Sequence, residues 1–206
     1  MSSEFHFYEP SAGHGLKHDP FNSIIAPRPI GWISTVDEKG IANLAPYSFF
    51  NAFNYTPPII GFSSIGFKDS VRNIQATGEF CYNLVSVPLA QQMNQTCAQV
   101  DASVDEFELA GLTKGESRTV RPPHVAESGV VMECRKTQII QLQGSNGELC
   151  DTWMVFGEVT GVKIKTSLIE DGIFKTGRAE PLLRAGGAGD YYTIDSENLF
   201  EMLRPR

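Results

Sequence analysis

The sequence lacks several things, and each lack closes a class of function. No apolar run approaches the ~18 residues that cross a bilayer. The first twenty residues carry acids and histidines instead of a basic region followed by an apolar core. A cytoplasmic protein with no membrane partner is expected. Lys and Arg number 17 against 24 Asp and Glu, for a net charge of -7 and a pI near 5.1. They are also unclustered, whereas nucleic-acid backbones demand concentrated cations. Nucleic acid is therefore not expected as a partner, and any anionic ligand must be held by local donors against an unfavourable global field.

Metal and catalytic signatures are equally scarce. Cys81, Cys97, Cys134 and Cys150 form no C-x-x-C and pair with no His at zinc-finger spacing. Four buried thiols in a reducing compartment are expected. The four histidines, at 6, 14, 18 and 124, include no H-E-x-x-H, so no metal site is assigned. No G-x-S-x-G elbow occurs, and Gly186-Gly187-Ala188-Gly189 lacks the Rossmann spacing. Gly172 to Gly177 has the spacing of a phosphate loop, but Arg178-Ala179 stands where Lys-Ser/Thr is required.

What is present is an ordinary globular composition, 41% hydrophobic and 20% charged over 206 residues, enough for one domain with a proper core. Residues 30–36 and 41–50 read as a hairpin turning at Asp37-Glu38-Lys39-Gly40. Residues 59–63 form a third, buried strand. A short helix over 71–76, capped by Asp69 or Ser70 and closed by Gly78, precedes a strand over 79–87. After Pro88 a helix buries a stripe of Leu89, Met93 and Cys97. Residues 99–128 are polar and read as a loop across the surface, cornered at Pro122-Pro123-His124. Strands over 130–142 and 152–164 follow, joined by Gly144-Ser145-Asn146-Gly147. The pattern implies a closed β-barrel with appended helices.

Three neighbouring segments carry chemistry. Tyr47-Ser48-Phe49-Phe50-Asn51 alternates rings with hydroxyl and amide groups, Ser63-Ser64 ends the third strand, and Lys68-Asp69-Ser70 opens a helix. A helix start offers free N–H groups and partial positive charge, which with Lys68 can hold a phosphate. Rings beside it can cover a flat head group, a combination that suits flavin mononucleotide (FMN). The alternative is purely structural: a strand end, a cap and core aromatics.

Several ordered motifs resemble the flavin reductase-like, FMN-binding split-barrel family, in its flavoredoxin-like branch. They are Arg28-Pro29-Ile30-Gly31-Trp32-Ile33-Ser34-Thr35, Asn43 to Asn51, Lys68 to Ile74 with Gly78-Glu79-Phe80, Asp105-Glu106-Phe107, Gly157-Glu158-Val159 and the late Arg184 with Tyr191-Tyr192. The resemblance implies a mainly β fold, a six-stranded Greek-key split β-barrel with a few short peripheral helices. It further implies a single domain over 1–206 with its core at about 20–192, between an N-terminal arm and a C-terminal extension, forming a homodimer.

FMN would lie at the barrel edge near the subunit interface. Ser48, Ser63, Lys68, Asp69 and Ser70 would hold ribityl and phosphate oxygens. Trp32, Ile33, Ser34, Thr35, Phe49, Phe50 and Asn51 would line the isoalloxazine, with Tyr47 and Ser64 completing the set. The implied activity is an NAD(P)H-dependent flavin reductase passing hydride from nicotinamide to flavin N5. The alternative is an FMN-holding electron-transfer protein without pyridine-nucleotide activity, and a barrel that has exchanged FMN for another ligand such as haem is a third reading. A partner oxygenase or acceptor protein is implied. His124 is the one catalytic candidate, against the alternative of a loop histidine bonded to backbone. Arg28 and Arg72 are candidates for dinucleotide phosphates, and Arg184 for a structural role.

Overall fold

A computed structural model describes residues 4–205. Seven strands make one antiparallel sheet: β1 (Gly31–Val36), β2 (Ala42–Tyr47), β3 (Phe50–Asn54), β4 (Ile59–Ile65), β5 (Glu79–Asn83), β6 (Val130–Gln143) and β7 (Leu149–Ile164). Their spatial order is β2-β1-β5-β6-β7-β4-β3. The edge strands β2 and β3 are joined by only Ser48 and Phe49, so the sheet curls until its edges meet there. The result is the expected mainly β split barrel, with seven strands where six were expected. The extra strand arises because the segment over 41–50 is not continuous. Pro46 carries no N–H to extend the ladder, and at Phe49 the carbonyl accepts from the Ser63 N–H at 2.8 Å, carrying the chain to the opposite edge.

All six residues of β1 are buried, which its unbroken Trp32-Ile33-Ser34-Thr35-Val36 run requires. On one side Ile33 packs with Phe62, Val71, Ile74, Phe80 and Val155 inside the barrel. On the other, Trp32 packs with Leu44, Met93, Phe107 and Val125. Gly157 permits this closeness, since a Cβ there would lie 2.3 Å from the Phe80 ring.

Three helices bear on the site: α1 (Asp69–Thr77), α2 (Ala90–Gln95) and α3 (Glu106–Leu109). Helix α1 closes at Gly78 in the left-handed conformation, φ 76°. Its cap position is Lys68, and no side chain caps the first turn, so neither Asp69 nor Ser70 plays the expected capping part. Helix α2 stops at Gln95, which leaves Cys97 outside the Leu89 and Met93 stripe. Cys97 and Cys150 are exposed, and only Cys81 and Cys134 are the buried thiols expected of all four.

The excursion over 99–128 is not the surface loop its polarity implied. It contains α3 and a ribbon of Lys114–Gly115 with His124–Val125, and it buries Phe107, Val120, His124 and Val125. Its polar groups are consumed internally. Glu133 of β6 accepts from the Arg118 N–H at 2.9 Å and the Thr119 hydroxyl at 2.8 Å, and Glu79 of β5 pairs with Arg121 at 3.0 Å. Among the described residues no helix is long and apolar enough to cross a membrane.

Candidate functional site

Two cavities lie either side of the junction between β2 and β3. The first, about 450 Å³, is walled by Asn43 and Tyr47 of β2, by Lys68, Asp69, Ser70 and Arg72 at the start of α1, by Thr96 and Cys97 after α2, and by Glu106 of α3. The second, about 330 Å³, is walled by Ser48, Phe49, Phe50, Asn51 and Phe53, with Arg28, Ser63 and Met154. Consecutive residues, Tyr47 and Ser48, therefore face different cavities, which we term the polar and the ring cavity.

The polar cavity is built on paired side chains. The Asn43 amide donates to the Ser70 hydroxyl at 3.0 Å. The Tyr47 hydroxyl hydrogen-bonds with Ser70 and Ser64, and burial, the larger influence, holds its pKa above the ordinary value against those bonds. Trp32 Nε1 donates to Thr96 Oγ1 at 2.9 Å, and that hydroxyl donates to the Met93 carbonyl at 2.7 Å. Arg72 pairs with Asp69 one turn earlier. Lys68 is exposed at the cavity wall. Glu106 is buried and accepts from the Leu44 N–H at 3.0 Å. Burial pushes its carboxyl upward, opposed by that N–H and reinforced by Asp69 and Asp105.

The ring cavity is mainly aromatic. Phe50 stacks on Tyr82 with centroids 4.9 Å apart and planes within 4°. That ring lies so close over β1 that a Cβ on Gly31 would come within 2.6 Å of it. The Arg28 guanidinium sits 5.5 Å from the Phe49 centroid. It donates to the carbonyls of Asn22 and, at 3.2 Å, Ala185, while its buried Nε has no partner among the described residues. Arg28, a candidate for dinucleotide phosphates, is 9% exposed. Burial and the nearby Arg184 both lower its pKa. Arg184 itself donates to the carbonyls of Asp190 at 2.7 Å and Gly187 at 2.9 Å, tying down the glycine-rich loop.

The expected residues thus divide. Tyr47, Lys68, Asp69 and Ser70 meet in the polar cavity, while Ser48 and Ser63 lie with Phe49, Phe50 and Asn51 in the ring cavity. Ser64 lies behind the wall, fully buried, donating to the Gly66 carbonyl at 2.9 Å. Trp32, Ile33, Ser34 and Thr35, expected to line the isoalloxazine, are each 0% exposed, line neither cavity and form the core behind them. Ser34 and Thr35 accept from Asn83 and Asn73 at 3.2 and 3.1 Å. His124 lies elsewhere, on the ribbon of the excursion, 1% exposed, with Nε2 accepting from Lys163 Nζ at 2.9 Å. It lines neither cavity, and its partner is a side chain, not backbone.

Asn43, Thr96, Cys97 and Glu106 were not anticipated. Asn43 and Glu106 left a trace in the sequence, as members of the Asn43 to Asn51 and Asp105-Glu106-Phe107 motifs.

Comparison with known proteins agrees with this architecture. The family model described as flavin reductase like domain matches residues 24–183. An uncharacterized protein of Aquifex aeolicus is 34% identical over 170 residues, 80% of this chain and 83% of the relative. Nitrilotriacetate monooxygenase component B from Bacillus cereus superposes with a TM-score of 0.85 at 28% identity, covering 98% of this chain and 100% of that one. Flavoredoxin of Desulfovibrio vulgaris (Miyazaki F) superposes with a TM-score of 0.74 over 92% and 97% of the two chains; at 21% identity that likeness is one of fold.

Proposed function

The chain belongs to the flavin reductase-like family, and from that premise we propose that it is an FMN-binding oxidoreductase which reduces flavin with NAD(P)H. The observation that carries this reading is the pairing of cavities at Tyr47 and Ser48, one bearing donors and the other rings. The fit to FMN can be judged from the residues themselves. The first turn of α1 has no side-chain cap, so its N–H groups are available to a phosphate, with Lys68 and Arg72 on the same wall. Phe49, Phe50 and Phe53 present apolar surface of the kind a planar ring system needs.

In this reading Lys68, Ser70 and the α1 amides hold the phosphate. Ser48, Asn51 and Ser63 supply donors and acceptors along the ring cavity, and Phe49 and Phe50 orient the ring and exclude water from one side. FMN, when bound, supplies a centre that accepts hydride from a nicotinamide. The chain's contribution is stacking and orientation, and no side chain need move a proton.

A homodimer accompanies the reading. Phe53 of β3 and Tyr55 in the turn after it are 53% and 93% exposed. Phe53 also walls the ring cavity, so a second copy covering this surface would close that cavity. The Bacillus cereus neighbour is a monooxygenase component, and an oxygenase partner that consumes reduced flavin follows as part of the proposal.

A second reading, an FMN-holding electron carrier, is favoured by one observation: neither dinucleotide-loop signature occurs in the 206 residues. The test is the visible spectrum of FMN-loaded protein during anaerobic addition of NADH and then NADPH. Bleaching by either supports the reductase. A flavin spectrum that dithionite bleaches and neither nucleotide does supports the carrier, and failure to retain FMN removes both.

A further inference from the structure

The polar cavity contains a group that a phosphate site would not be expected to tolerate. Glu106 is 6% exposed and lines the cavity together with Lys68, Asp69 and Arg72. Asp69 and Arg72 already satisfy each other, which leaves Lys68 as the cation and Glu106 as the anion facing an incoming ligand. Glu106 cannot swing away. Its helix α3 is fixed by Phe107, fully buried in the core, and by Asp105, whose carboxylate accepts from the Phe107 N–H at 2.9 Å. Its own carboxylate is tied to the Leu44 N–H of β2.

A phosphate monoester carries about -1.5 to -2 charges at neutral pH, with a second ionisation near pH 6. Against a buried carboxylate that charge is repelled strongly, and the simplest relief is one proton held between the two acids.

We propose that Glu106 is the specificity-determining residue of the polar cavity, admitting the phosphate of FMN only with a proton shared between its carboxyl and a phosphate oxygen. The inference rests on the FMN reading above and deepens it. The groups that face Glu106 are Asp69 of α1 and the neighbouring Asp105, both of which favour its protonated form, and the N–H groups of Leu44 and of Glu106 itself, which oppose it. Lys68 and Arg72 share the wall and favour the ionised form. Burial already raises the carboxyl before any ligand arrives, and a phosphate raises it further. The sign follows. Bound protein holds the proton more tightly than free protein, so affinity is greatest at low pH and falls by up to about tenfold per pH unit between the two values. Riboflavin, with the same ring and no phosphate, has no reason to follow that slope.

The experiment is a titration of FMN and of riboflavin into wild type and Glu106→Gln from about pH 5.5 to about pH 8.5, with proton uptake read by calorimetry in two buffers of different ionisation heat. The glutamine keeps an oxygen for the Leu44 N–H. Wild type should lose at least about tenfold in FMN affinity across the range and take up protons on binding FMN but not riboflavin, while Glu106→Gln changes by less than about threefold. Equal slopes for FMN in the two proteins would overturn the shared proton while leaving the FMN reading intact. Should the variant not fold, wild type alone decides: at about pH 7.5, where free FMN phosphate is already ionised, absence of proton uptake overturns the proposal and uptake specific to FMN supports it. Failure of wild type to bind FMN at every pH overturns the FMN reading itself.

Discussion

Glu133 and Glu106 are almost equally buried, 5% and 6% exposed, yet they sit in regions of opposite design. At the excursion, burial would raise the Glu133 carboxyl, but the N–H groups of Arg118 and Thr119 and the Thr119 hydroxyl together outweigh it and hold the pKa below the ordinary value. Glu79, 9% exposed, is treated alike: burial is overcome by the Arg121 N–H and side chain, with Arg135 adding to it. At the polar cavity Glu106 receives the Leu44 N–H, its own backbone N–H and no arginine, and burial prevails. Where a carboxylate fastens one part of the fold to another, donors surround it. Where donors are withheld, a binding surface is left.

The sharpest way to break this contrast is to make the same substitution in both places. Glu133→Gln puts an amide N–H against donors that need an acceptor, and should cost about 2 to 3 kcal/mol in urea denaturation. Glu106→Gln, with fewer donors to offend, should stay within about 0.5 kcal/mol. Equal losses would mean that Glu106 is a structural anchor too. The pH dependence carries the same message. A folded pKa below the unfolded value gives stability that is present above the ordinary glutamate pKa of 4.5 and lost as pH falls through the folded value. Glu133→Gln should flatten that acid limb.

The contrast also explains what the sequence could convey. The strands were legible because β1, β4 and β6 are long enough for apolar pattern and turn residues to agree, as at Gly144 to Gly147. The excursion was not. Its polar residues suggested solvent, but Arg118, Thr119 and Arg121 are spent on Glu79 and Glu133 more than forty or about fifteen positions away, and local pattern carries no record of such partners. The same limit applied to the site. The run from Tyr47 to Asn51 and the start of α1 announced themselves by residue type, whereas Thr96 and Glu106 join them only through the packing of α2 and α3 on β2. Trp32 to Thr35 lie in the core behind the cavities, because a motif shows which residues accompany a site and not which of them face it.

A smaller effect is expected at Lys68. It is exposed, and it forms no ion pair among the described residues. Lys68→Ala should therefore leave the urea midpoint unchanged and weaken FMN binding about tenfold, equivalent to about 1.4 kcal/mol. Fluorescence titration reads the affinity. Unchanged affinity would place the phosphate elsewhere, and lost stability would erase the distinction between the two regions at its most exposed point.

The smallest effect on flavin chemistry belongs to His124. Its Nε2 accepts from Lys163 and its Nδ1 is buried without a partner among the described residues. Burial, and then the Lys163 charge, lower its pKa, with Glu133 opposing. The ring therefore stays neutral while the unfolded chain protonates near the ordinary value of 6.5. That depressed value takes stability away as pH falls through this window and restores it above. His124→Gln, whose amide oxygen can still accept from Lys163, should remove that limb of the pH profile and alter the rate of flavin reduction by less than about twofold. A tenfold slower reduction with FMN affinity intact would show that the excursion reaches the reacting centre in the working assembly, and would give His124 a catalytic part.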